Sequence, residues 1–365
     1  MFILLLKSRR KGDAVSALAE HIMKQEKTLS IIVPTYNMEG LLRRCVMSAV
    51  EAGRDGRLEV IVVNDGSTDA SSALAHEIEG AHPGVVRVVD KANAHYGSCV
   101  NAGLPMARGR YVKIVDADDH VDTANLSALL DVLEELDVDV VFAPFVLHRG
   151  GGKDRLHIVR LPPGQVLDIG KLWGRKTIVA AWHHEVFYNR RLLQGYRQLE
   201  SCLYTDNQWT FRPLLTARTV YAFERPVYVY NLEREGQSVS AEVRDANWID
   251  DLRCAKAMID DYRALDGETP MVGVRKRCAE RKVLSILRRG YRHCLLYGSP
   301  RDLEALRSFD SGLEVSDPDW HRLAGRLWLM KQIRWPPFVE WWRKDPGSSK
   351  LRAALALYRS FKRHK

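Results

Sequence analysis

The chain has 365 residues, 46% of them apolar and 28% charged, with a formal net charge of +9. This composition excludes a collagen-like, low-complexity or disordered chain, and the length suggests a catalytic domain plus an appendage. No apolar run approaches the roughly 20 residues that cross a bilayer, and the six cysteines stand without a CxxC pair or other metal-ligand spacing, which points to reduced, buried thiols in a cytoplasmic protein.

The charge is uneven. From Trp320 to Lys365 there are twelve Lys and Arg against two acids, Glu340 and Asp345. The remainder is therefore about neutral, and the basicity belongs to the C-terminus.

Residues 1–27 read as an N-terminal extension with no assigned function. The apolar stretch Phe2 to Leu6 precedes the charges Lys7 to Lys11, the reverse of a signal peptide, and Met23 offers an alternative start. Beyond it, strand and helix signals alternate. Leu29 to Pro34 is a β-branched strand, followed by a helical pattern through Leu41, Cys45 and Ala49. Leu58 to Val63 is a second strand, Val85 to Val89 a third, Tyr111 to Val115 a fourth and Asp139 to Phe142 a fifth, with helical patterns between. Continuous apolar strands in β-α-β alternation predict an α/β fold with a buried, mostly parallel sheet flanked by helices. Arg149-Gly-Gly-Gly-Lys153 marks a break, residues 154–240 are mixed, and from about Ala246 the pattern turns helical.

Ligands of such sheets bind at the carboxyl ends of the strands. Three polar clusters fall there and are expected on one rim: Pro34-Thr35-Tyr36-Asn37, Asn64-Asp65-Gly66-Ser67 and Asp116-Ala117-Asp118-Asp119. Three carboxylates in four residues repel one another, and a divalent cation relieves the repulsion; oxygen donors suit Mg²⁺ or Mn²⁺. Each cluster also has a plain reading: Asp119 as a helix N-cap, Ser67 or Thr68 as a cap after a glycine turn, and the first cluster as a loop.

Together, Ile32 to Asn37, Val62 to Asp69, Tyr96 to Gly103, Ala107 to Val112 and Val115 to Asp119 resemble, in order and spacing, the donor half of the inverting family 2 glycosyltransferases. The resemblance implies a GT-A fold over residues 28–240, with a donor half at 28–148, an acceptor half at 154–240 and a helical, basic region at 241–365. It implies a nucleotide-diphosphate-sugar donor, with UDP as carrier, and a metal bridging the phosphates. Pro34, Thr35, Tyr36, Asn37 and Asp65 would line the nucleoside. His95, Gly97 and Ser98 would flank base and phosphates, and Ser238 would contact phosphate. Asp116 and Ala117 would meet the donor, with Asp118, joined by Asp116, as metal ligand.

The resemblance places the catalytic base in Leu203 to Trp209, where Asp206 matches the Asp of a Glu-Asp pair and Thr205 stands in the Glu position. A helix N-cap is the plain reading of Asp206. Trp182 to Leu193 resembles the acceptor-side segment, with Trp182 and His183 as acceptor contacts. Trp182-His183-His184-Glu185 lacks the spacing of a zinc helix, and adjacent residues on a strand point to opposite faces, which argues against joint ligation. Gln332 to Trp335 is one residue short of a processive-synthase motif and is read as chance.

In the tail, Trp320, Leu323, Leu327, Met330 and Leu351, Ala354, Leu355, Tyr358, Phe361 recur at helical spacing between basic residues. Two readings stay open. The stripes bind an anionic membrane at the inner face of the cell, where a glycan or lipid-linked acceptor would lie, or they pack on the catalytic domain. A nucleic-acid partner is the rival from another class, but no nucleic-acid-binding signature accompanies the basic tail.

Overall fold

The computed structural model describes residues 27–53, 55–149, 152–175, 178, 180–232, 241–268, 273–330 and 334–363. In chain order the first part comprises β1 (Lys27–Thr35), α1 (Leu42–Ala52), β2 (Leu58–Asn64), α2 (Ser71–Ala81), β3 (Val86–Asp90), α3 (His95–Gly103), β4 (Gly109–Ile114), β5 (His120–Val121) and α4 (Thr123–Glu135). It continues through β6 (Val140–Phe142), β7 (Phe145–Arg149), β8 (Arg155–His157), β9 (Val166–Asp168), β10 (Val186–Asn189), α5 (Asp206–Trp209), α6 (Arg212–Thr216), β11 (Thr219–Ala222) and β12 (Tyr228–Leu232).

Eight strands form the central sheet in the order β3-β2-β1-β4-β10-β6-β11-β9. It is mostly parallel, as expected, with β10 and β9 running against the rest. Alternation along the strands splits the core between two faces. Ile31, Val33, Val60 and Val62 pack toward α1, α2 and α4, whereas Ile32, Ile61, Val63, Val112 and Ile114 face the layer containing α3. Each such fully buried side chain contributes roughly 1.5–3 kcal/mol. A smaller sheet, β5-β12-β7-β8, lies beyond.

One departure from the sequence reading matters for the site. The strand at 140–142 does not adjoin β4, because β10 inserts between them, antiparallel, with Tyr188 opposite Val112. The segment leading into β10 is thereby brought beside the carboxyl end of β4, about seventy residues away in sequence.

The remainder is mainly helical: α7 (Ala241–Ala246), α8 (Trp248–Glu268), α9 (Gly273–Tyr297), α10 (Pro300–Ser316), α11 (Pro318–Gly325), the pair β13 (Trp328–Met330) and β14 (Trp335–Pro337), α12 (Phe338–Lys344) and α13 (Ser349–Arg363). Its core includes Cys202, Phe211 and Leu215 from the segment around α5. Trp320, Leu327, Leu351, Ala354 and Leu355 are buried in that core, so the tail's apolar stripes mostly pack against the protein. Leu357 and Phe361 stay exposed. Among the described residues, no helix is long and apolar enough to cross a membrane.

Candidate active site

Parallel register puts the carboxyl ends of β1, β2, β3 and β4 on one rim: Thr35 lies opposite Asn64, Asn64 opposite Asp90, and the Val115 N–H donates to the Ile32 carbonyl. The three polar clusters therefore do share an edge. Tyr36 presents an exposed ring there, while Thr35 is buried with its hydroxyl on the Val33 carbonyl. Thr35 thus takes part through its backbone, whose carbonyl accepts the Asp65 N–H. Asn37 adopts a left-handed φ of 53° and ties the first two loops together. Its N–H donates to Ser67 Oγ at 3.1 Å, and its Oδ1 accepts the Thr68 N–H at 2.8 Å. Ser67 and Thr68 accordingly do not cap α2; the Asp69 carboxylate accepts the Ser71 N–H there instead.

Asp65 is buried and held from three sides, by Lys91 Nζ at 2.5 Å, the Ala94 N–H at 3.0 Å and Ser98 Oγ at 3.5 Å. Lys91 also donates to Ser98 Oγ at 2.8 Å. Sequence reasoning missed this lysine, whose only signal is its place one residue past β3 on the same rim. His95 is exposed at the start of α3 with a left-handed φ of 65°. At Gly97 a Cβ would sit 2.1 Å from the Leu199 carbonyl oxygen, so its role is to let the segment leading to Asp206 approach α3.

At the end of β4 the acids divide their work. Asp119 is buried, accepts Tyr228 Oη at 2.5 Å and the Asn231 N–H at 2.7 Å, and does not cap α4, whose cap is Asp122. Burial, followed by repulsion from Asp116 and Asp118, pushes its carboxyl up to about 9. Asp116 Oδ2 meets His183 Nε2 at 2.9 Å, but Asp116 Oδ1 is buried with no hydrogen-bond partner among the described residues. Ala117 is buried between the acids. Carboxylate oxygens of Asp116, Asp118 and Asp119 lie within 4.8 Å of one another. An unmet buried oxygen in a crowd of like charges suits a divalent cation, so the residues present fit one.

Opposite stands Asp206, the first residue of α5, with Thr205 at the cap position making no cap bond. Its Oδ2 lies 3.9 Å from His183 Nδ1, so His183 stands between the β4 acids and the predicted base. The Asp206 side chain is part-buried and keeps 42% of its surface accessible. Desolvation raises its pKa; His183, Arg289 and Lys282 oppose the rise and Asp116 adds to it. Tyr96 from α3 lies in the stretch expected to flank base and phosphates, but the sequence reading gave its side chain no role of its own. Its hydroxyl is buried without a partner among the described residues and interacts electrostatically with both Asp116 and Asp206.

Trp182 to Glu185 corrects an expectation. Residues His183–Glu185 form a 3-10 turn before β10, so strand alternation does not apply, and the His183 and His184 rings lie 3.7 Å apart. Both fall within ligating reach of Asp116. His184 is buried and stacks on Tyr230 at 4.3 Å, while Trp182 is 44% exposed. Beneath the turn, Lys113 of β4 is buried and donates to the His183 and His184 carbonyls at 2.6 and 2.8 Å. Burial lowers its pKa to about 7. Ser238, the predicted phosphate contact, and residues 1–26 and 332–333 lie outside the described residues.

Residues 30–197 match the model of "Glycosyl transferase family 2". The chain is 35% identical over 117 residues to the "Uncharacterized glycosyltransferase EpsJ" of Bacillus subtilis, covering 32% of this chain and 33% of that one. It is 23% identical over 250 residues to the "Minor teichoic acid biosynthesis protein GgaB" of the same organism, covering 66% and 27%. The chain thus spans about a third or less of these relatives' length. Among solved structures, S. aureus TarS 1–349 in complex with UDP-GlcNAc superposes with a TM-score of 0.64 at 17% identity, covering 93% of this chain and 92% of that one. Residues 30–197 are thus similar to glycosyl transferase family 2, and the fold is the GT-A type of its solved neighbour.

Proposed function

We propose that the protein transfers a sugar from a nucleotide-diphosphate-sugar to an acceptor hydroxyl, with inversion, in the synthesis of a cell-surface or exopolysaccharide. The reading rests on one juxtaposition: the Asp116 carboxylate, whose Oδ1 has no partner among the described residues, and the Asp206 carboxylate face each other across His183. On the donor side, Tyr36 and the Lys91-held Asp65 receive the nucleoside, with UDP, the nucleotide in the TarS complex, as the proposed carrier. Asp116 and Asp118 would hold Mn²⁺ or Mg²⁺, and a divalent cation there would supply charge neutralisation for the leaving diphosphate. Asp206 accepts the acceptor's proton as its oxygen attacks the anomeric carbon. The new glycosidic bond forms as the bond to the diphosphate breaks, and a single displacement inverts the centre. The exposed Trp182 ring offers an apolar face to an acceptor glycan.

Asp206→Asn tests the base. The isostere is expected to lose about 10²–10⁴-fold in kcat with donor binding preserved, and full transfer would refute the role. Because burial holds the folded pKa above that of the unfolded chain, ionised Asp206 opposes folding at neutral pH. The Asn variant should therefore melt no lower than the parent.

Exposed Leu357 and Phe361 on α13, with Lys350, Arg352 and Arg359 on the same helix, support peripheral contact with an anionic membrane that carries a lipid-linked acceptor. Cosedimentation with vesicles containing anionic lipid should exceed that with neutral vesicles and weaken in Phe361→Ser; equal recovery from both would end that reading.

A further inference from the structure

The loop presenting Asp206 has a constrained backbone. Ser201 and Tyr204 adopt left-handed φ of 50° and 61°, a region that L side chains rarely occupy. Such conformations persist only where the surroundings over-determine them, and they cluster at functional sites. Here the surroundings belong to the helical region. From α8, Asp250 Oδ2 accepts the Leu203 N–H at 2.9 Å, Arg253 Nη1 donates to the Ser201 carbonyl at 2.8 Å, and Cys254 Sγ reaches the Tyr204 carbonyl at 3.4 Å.

From α9, Arg289 stands over the Tyr204 ring at 5.7 Å and donates through Nε to buried Asp251 at 2.6 Å, with a second, shorter contact from Nη2. Gly290 makes this possible: a Cβ there would lie 2.6 Å from Leu252 Cδ2, so only glycine lets α9 close on α8 beside Asp251. Two turns earlier on α9, Lys282 donates to Thr210 Oγ1 at 3.0 Å, and Thr210 Oγ1 donates to the Asp206 carbonyl at 3.2 Å.

We propose that Arg289, reaching the base loop from the helical region, is a positioning residue for sugar transfer, fixing through Asp251 and Tyr204 the turn that aims Asp206 at the acceptor. This rests on the reading of Asp206 as the base. Arg289 touches the base loop at the residue two before Asp206, whose backbone is the strained one. Its planar fork makes two bonds to Asp251 while its face covers the Tyr204 ring, a combination a lysine cannot reproduce. The helical region is on this view part of the catalytic site, since it holds the base as β4 holds the acids. The charged groups facing Asp206 are Lys282 and Arg289 from α9, His183 from the turn before β10, and Asp116 from the end of β4.

The test compares the full-length parent with Asp206→Asn, Arg289→Met and Arg289→Lys, measuring kcat and KM for donor and acceptor, the pH profile and Tm. Asp206→Asn should be inactive. Arg289→Met should lose roughly ten- to a hundred-fold in kcat, the scale of a misplacement near 1 Å, with donor KM unchanged and the acidic limb moved to higher pH; Arg289→Lys should recover part of both. If Asp206→Asn stays active, the base reading fails and the proposal falls with it. If Asp206→Asn is inactive but Arg289→Met keeps the parental kcat and limb, at whatever Tm, the proposal alone is overturned. Should Arg289→Met not fold, Tyr204→Leu removes the covered ring while leaving the Arg289–Asp251 pair, and the same kcat and pH readings decide.

Discussion

The two sides of the cleft are built differently. The donor side consists of strand ends: Thr35, Asn64, Asp90 and Val115 are brought level by parallel pairing, and the loops that follow are tied by short-range bonds such as Asn37 to Thr68. The base side has no such frame. Asp206 sits on a four-residue helix whose position depends on α3 through Gly97, on the turn before β10 and on α8 and α9. A rim made of a sheet's own edge tolerates local change, whereas a site assembled from four distant segments transmits it. Damage to the donor side should therefore act on binding and leaving-group charge, and damage to the base side on turnover.

After Asp206→Asn itself, the largest expected effect is on the donor side. Asp116→Asn keeps the shape of the residue and a contact for His183 Nε2, but removes a carboxylate from the cluster at the end of β4. Transfer should fall by about 10²–10³-fold, as when a single charge-stabilising group is removed. The stabilisation of the fold by UDP-sugar with Mn²⁺, read as a thermal shift, should shrink in parallel. A variant with parental transfer and an undiminished metal-dependent shift would show that Asp116 serves only to orient His183.

That contrast also explains what the sequence made legible. The strand-end clusters could be read because β-branched runs fix the strands and a parallel sheet fixes where their ends lie. The same reasoning found Asp65 and the acids at 116–119. It missed Lys91, since a single lysine after a strand carries no pattern, and it missed the hydroxyl of Tyr96, whose environment arises only when α3 packs on the sheet. It misjudged His183 and His184 because a 3-10 turn replaces the expected strand, bringing both rings to one side. The segment proposed to carry the base could be pointed to by resemblance, but its geometry could not. That geometry depends on β10 inserting beside β4 and on left-handed Ser201 and Tyr204, neither of which is glycine. The tail's stripes had a helical period, and period alone does not say whether a stripe meets lipid or protein.

A smaller effect separates the sides by pH. As the proposed base, Asp206 must be ionised to accept a proton, and desolvation raises its pKa. Activity should therefore fall as pH drops through a value above the ordinary aspartate value of about 3.9, while UDP-sugar binding, which does not use Asp206, persists further into acid. A rate limb at the ordinary value, or one that tracks donor affinity, would place the titrating group on the donor side.

The smallest effect concerns Tyr96, where the sides meet. Its buried hydroxyl has no partner among the described residues and stands in the field of both Asp116 and Asp206. An unmet buried polar group costs about 1–3 kcal/mol, so a hydroxyl retained in this position is explained if a substrate oxygen satisfies it. Tyr96→Phe should then melt at or above the parent's temperature, because the orphan group is gone. At the same time kcat/KM should drop by about 2–10-fold, the worth of one neutral hydrogen bond. The opposite pairing, a lower Tm with unchanged kcat/KM, would make the hydroxyl a structural contact. A drop that appears only in the acceptor's KM would assign the hydroxyl to the base side, and one confined to the donor's KM would assign it to the rim.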